Sequence, residues 1–62
     1  MEKDFRMYVT NITQAISVLR EAGVEAAADG TSIKLHVPEQ TKTDVIVLLN
    51  KENVVVYDVE EI

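Results

Sequence analysis

Few side chains in this sequence are of types that do chemistry, and their spacing limits what they can do. His36 is the single histidine; with Ser17 or Ser32 it supplies two parts of a nucleophilic site, a hydroxyl and a base to activate it. No orienting acid or oxyanion loop accompanies them, so His36 reads as a solvated residue on a strand. Asp58 and Glu60 fall on one side of an extended segment and offer oxygens to a hard cation. Two carboxylates without converging partners are a solvated edge. The absence of cysteine leaves zinc no thiolate and one imidazole at most. Glycine occurs only at Gly23 and Gly30, so neither GxxxxGK[ST] nor GxGxxG is present to cradle a phosphate. The chain reads as carrying no catalytic residue, no cofactor and no metal of its own.

Length and composition bound the rest. Sixty-two residues are one domain, 1–62, with 47% hydrophobic and 27% charged residues, the balance of a globular chain rather than a disordered one. A core of this size supplies about 3–5 kcal/mol of net stability, and no disulfide is available to add to it. A net charge of −5 opposes phosphate backbones and anionic headgroups, which argues against nucleic acid as a partner. The longest apolar runs, Val45 to Leu49 and Val54 to Tyr57, are far shorter than a membrane span, so no direct membrane insertion is expected. Met1-Glu2-Lys3-Asp4 is acidic where a secretory signal is basic, and the expected location is cytoplasmic.

The elements that must position these residues follow from periodicity. Phe5, Met7 and Val9 alternate with Arg6, Tyr8 and Thr10, the period of a half-buried strand. Asn11 offers a helix N-cap, and Ile12, Ala15, Ile16, Leu19 and Ala22 form a helical stripe ended by Gly23. A weaker strand follows with Val24, Ala26 and Ala28. Asp29-Gly30 is a hairpin turn signal, and Ile33, Leu35 and Val37 alternate beyond it until Pro38 closes the strand. The run Asp44 to Leu49 has the β-branched content of a strand. Three features favour a helix near 41–52: a Thr41/Asp44 capping pair, the extension through Asn50 to Glu52, and Asn53 as a left-handed stop. Val54 to Val59 is the last strand.

An offset of 30 residues superimposes the two halves, Phe5 on Leu35, Met7 on Val37, Ile16 on Ile46, Leu19 on Leu49, Gly23 on Asn53 and Val24 on Val54. Each half is strand, helix, strand. The expected fold is α+β, a ferredoxin-like βαββαβ sandwich with two helices on one face of a four-stranded antiparallel sheet. With Phe5, Met7 and Val9 facing the helices, Tyr8 faces the open side. On the neighbouring last strand either Val54 and Val56, or Val55, Tyr57 and Val59, must face out with it. The second set places Tyr8, Val55, Tyr57 and Val59 in one exposed patch, the candidate interaction surface.

The segments Val18-Leu19-Arg20-Glu21-Ala22-Gly23-Val24-Glu25, Asp29-Gly30, Ile33-Lys34-Leu35-His36-Val37-Pro38, Val45 to Leu49 and Val54-Val55-Val56-Tyr57-Asp58-Val59-Glu60 carry a resemblance. Together they resemble the small C-terminal domain of unknown function in bacitracin-type and related multidrug ABC transporter ATP-binding subunits, over roughly residues 5 to 60. Asn53 stands where that family more often has glycine, and the chain stops at Ile62, before a Ser-Leu-Glu-x-x-Phe-like segment. The resemblance implies an excised C-terminal fragment of an ATP-hydrolysing parent, with ATP and Mg bound only in that parent. It further implies a cytoplasmic place at the inner face of the membrane, within a transporter complex. The domain itself would be accessory, packing on the parent nucleotide-binding domain or on a second copy. The alternative on the same strand order is an ACT-like module sensing an amino acid, although Thr10-Asn11 lacks the glycine such modules tend to use there.

Overall fold

The computed structural model describes residues 1–62. The chain order is β1 (Glu2–Val9), α1 (Ile12–Glu21), β2 (Ala26–Asp29), β3 (Ser32–Pro38), α2 (Glu39–Lys51) and β4 (Val56–Glu61). The sheet order is β2-β3-β1-β4, with every pairing antiparallel. This is the expected α+β, ferredoxin-like arrangement.

The 30-residue offset is a structural repeat. Helix α1 ends at Glu21 and α2 at Lys51; β2 begins at Ala26 and β4 at Val56. The two helix ends are built alike. Gly23 has φ 80° and Asn53 has φ 65°. Val24 N–H donates to the Leu19 carbonyl at 2.8 Å, and Val54 N–H to that of Leu49 at 2.9 Å. Gly23 N–H reaches the Arg20 carbonyl and Asn53 N–H that of Asn50, each at 3.1 Å. These are paired Schellman closures, in which a left-handed residue turns the chain so that orphan helix carbonyls are satisfied. They also explain why β2 and β4 start two residues later than the apolar pattern does. Val24 and Val54 are spent on helix closure, and Val54 is fully buried in doing so.

The helix starts differ. Asn11 caps α1 as expected, its Oδ1 accepting from Gln14 N–H at 3.0 Å. Thr41 and Asp44 do not cap α2, which begins earlier, at Glu39, with Thr41 already inside it. Pro38 occupies the N-cap position with φ −59° and ψ 147° and makes no side-chain cap. Its locked φ ends β3 and points the chain into the helix, while Glu39 in the first turn favours the positive end of the helix dipole. Gln14 Nε2 donates to the Glu52 carbonyl at 2.8 Å, tying the start of α1 to the end of α2.

Between the layers lies one core of Phe5, Met7, Val9, Ala15, Leu19, Ile33, Leu35, Val37, Val45, Leu49 and Val54. Ile12 and Ile16 pack half-buried at its margin, whereas Ala22, expected on the helical stripe, is exposed at the C-cap. The far face of the sheet carries no helix.

Candidate functional site

The open sheet face is set by β1. Since Phe5, Met7 and Val9 point into the core, Asp4, Arg6 and Tyr8 point away from it. On β3 the same alternation turns out Lys34 and His36. Strand β4 does not keep a simple alternation. Its register runs Met7↔Val59 and Tyr8↔Asp58, then Val9↔Val56, so Tyr57 is an extra residue in a β-bulge. Thr10 holds the far side of the bulge. Its N–H donates to the Val55 carbonyl and its Oγ1 accepts from Val55 N–H, both at 3.1 Å.

The bulge decides which residues share the face. Tyr57, 62% exposed, and Val55, 53% exposed, lie outside. Tyr8 lies beside Tyr57, with ring centroids 6.2 Å apart and planes inclined by 38°, within the range of favourable aromatic pairs. Val59 does not join them. It pairs with Met7 and packs half-buried against the core, as Val56 does opposite Val9. The expected patch of Tyr8, Val55, Tyr57 and Val59 is therefore corrected to Tyr8, Val55 and Tyr57. One extra residue shifts the alternation of everything after it.

Polar groups frame the tyrosines. The Tyr8 hydroxyl donates to Glu60 Oε1 at 2.8 Å. Arg6 spans the sheet, with Nη1 3.5 Å from Glu60 Oε1 and Nη2 3.1 Å from Asp29 Oδ2. The hydrogen bond to Glu60 is the main reason the Tyr8 phenol ionises above its ordinary value of 10.0; partial burial and the Glu60 charge act the same way. The Arg6 guanidinium is likewise held charged, first by its hydrogen bond to Asp29.

The remaining candidates are occupied. Asp58 and Glu60 do share the open face, but Asp58 Oδ1 accepts from Val59 N–H at 2.9 Å while Glu60 serves Tyr8 and Arg6. No three His, Asp or Glu side chains converge on a common point. Ser32, buried, donates through Oγ to the Asp29 carbonyl at 2.9 Å and steadies the β2–β3 turn. Ser17 sits on α1, in the other layer. His36 does have acids, contrary to its reading as an unaccompanied residue: Nδ1 is 2.8 Å from Asp4 Oδ1 and Nε2 is 3.1 Å from Glu2 Oε1. They come from the next strand, through the pairing Asp4↔His36, and no local spacing shows them. With both ring nitrogens engaged, the imidazole has none left to activate a hydroxyl. Its pKa is raised above 6.5, chiefly by the Asp4 hydrogen bond and against the effect of burial.

Comparison with protein-family models, with curated proteins and with solved structures finds no match for this chain.

Proposed function

We propose that this chain is an accessory docking domain of an ABC transporter ATP-binding subunit, with no catalysis of its own, which packs its open sheet face on the parent nucleotide-binding domain. The observation that carries the docking role is the Tyr8–Tyr57 pair, Tyr8 half-buried and Tyr57 exposed with Val55, on a sheet face that no helix covers. Two adjacent aromatics with Val55 give an apolar centre, and Glu60, Arg6 and Asp58 give the polar rim of an interface. The resemblance of residues 5 to 60 supports the choice of parent. Charge counts against a second copy. Asp4, Asp29, Asp58 and Glu60 on this face outnumber Arg6 and Lys34, so two copies pressed face to face would bring a net excess of like charge together.

The coding sequence immediately upstream is the direct test: it is expected to contain a Walker A motif, and a frame without one overturns the transporter reading. Calorimetric titration of the chain with Mg-ATP is expected to give no heat of binding. Micromolar affinity would make it a nucleotide site rather than an accessory. A reproducible thermal shift with one free amino acid would instead favour the sensing module.

A further inference from the structure

The two edges of the sheet differ. Strand β4 is guarded by its bulge and by Asp58, Glu60 and Glu61. Strand β2, Ala26–Asp29, has no bulge, no proline and no lysine; of the usual protections of an edge it has only its four-residue length and the charge of Asp29. Hairpin geometry says which of its backbone groups are free. The loop Gly30-Thr31 is closed by Asp29 opposite Ser32, so Asp29 and Ala27 turn their N–H and C=O toward β3. Ala26 and Ala28 therefore turn theirs outward. A shallow depression lies on each side of this edge. The two meet at Glu25 and Ala26: one extends over Ala27, Asp4, Lys34, Leu35 and His36, mostly on the open face, and the other over Arg20, Gly23 and Val24, toward the helices.

We infer that β2 accepts an extended peptide segment as a fifth strand, with apolar residues facing the helix side and basic residues facing the open side. Residues of the added strand opposite Ala26 and Ala28 fall on the helix side. The alanines leave that side thinly covered: Ala26 is half-buried, and Ala28, although it points to the helix layer, is exposed. Residues opposite Glu25 and Asp29 fall on the open side, four positions apart, facing the unpaired Glu25 carboxylate and the Asp29 carboxylate that Arg6 shares. The segment reads basic, apolar, any, apolar, basic. Backbone pairing supplies the attachment; the depressions at Glu25 to Ala27 and the two carboxylates supply the selectivity, as in strand addition generally. A second copy fits poorly. Antiparallel pairing about Ala27 matches Ala26 with Ala28 of the second copy, and it sets Glu25 opposite Asp29 twice, a like-charge pairing that destabilises adjacent strands. This edge adjoins the open sheet face through Asp4, His36 and Asp29, but pairing along β2 uses neither Tyr8, Val55 nor Tyr57, and the inference stands without the docking role proposed for them.

The test is a heteronuclear NMR titration of the full chain with a capped lysine-valine-threonine-valine-lysine peptide, followed by amide exchange. Expected are saturable shifts in the millimolar range centred on Ala26 and Ala28, with new exchange protection of those two amides. The same peptide with glutamate in place of lysine should not bind. Ala28→Pro removes one outward N–H without touching the β3 ladder and should abolish the effect. Should that variant fail to fold, Glu25→Lys replaces it and should weaken binding at least threefold, the scale of a reversed cross-strand charge pair. Shifts without amide protection, shifts confined to Tyr8 and Tyr57, equal binding of the glutamate peptide, or concentration-dependent changes at β2 without peptide would each overturn the inference. So would an absence of shifts.

Discussion

His36 shows how one exposed, ion-paired residue affects the whole molecule. It lies between Glu2 and Asp4, and its folded pKa is raised above the ordinary 6.5, chiefly by the Asp4 hydrogen bond. The protonated ring is the form these carboxylates stabilise, so its contribution is fully present below about pH 6.5 and is lost as pH rises through the folded value. The side chain is well exposed, and solvent screening keeps the effect small. Thermal unfolding should therefore show a shallow fall in midpoint from pH 6 to pH 8 that His36→Gln removes. If the fall is unchanged in that variant, the ring is not held as its geometry indicates.

At the scale of elements, the paired helix closures offer a sharper test. Gly23 and Asn53 occupy equivalent left-handed positions, and the space around Gly23 is open, so only backbone conformation separates the two residues. A residue with a Cβ costs roughly 1–2 kcal/mol in this region, somewhat less for asparagine. Asn53→Gly should raise stability by up to about 1 kcal/mol, and Gly23→Ala should lower it by about 1–2 kcal/mol, both read from urea midpoints. A loss of stability in Asn53→Gly would mean that the Asn53 side chain contributes something its backbone does not reveal. These positions also mark what was legible in the sequence. Gly23, Asn53, the Asp29-Gly30 turn and the Phe5/Met7/Val9 alternation each depend on a single residue's backbone preference or on a local period, and the architecture followed from them. Three things were not legible. The start of α2 fell at Glu39 because Pro38, with φ −59°, ends β3 and leads directly into the helix, which leaves Thr41 and Asp44 inside it. The acids of His36 came from strand register. The bulge at Tyr57 has no glycine to announce it, and it is what moved Val59 to the core side.

For the whole molecule, the question is whether a 62-residue sandwich can leave one sheet face bare and still fold. Its core residues all lie between sheet and helices, and Tyr8 and Tyr57 are not among them. An aromatic pair of this kind contributes about 0.5–1.5 kcal/mol beyond its area, against about 3–5 kcal/mol for a domain of this size. The double variant Tyr8→Ser with Tyr57→Ser should thus remain folded, with a native circular dichroism spectrum and a modestly lower urea midpoint. Its loss should appear instead in docking: retention on the immobilised nucleotide-binding domain of the proposed parent should fall at least tenfold. The two readouts separate the possibilities. A variant that unfolds places the tyrosines in the folding core, and a folded variant that docks as well as the original leaves the face without the proposed role. Val59→Ser is the control, because the bulge puts Val59 against Met7. That change should cost stability through the core margin and leave the open face intact, a difference that exists only if β4 carries its extra residue at Tyr57.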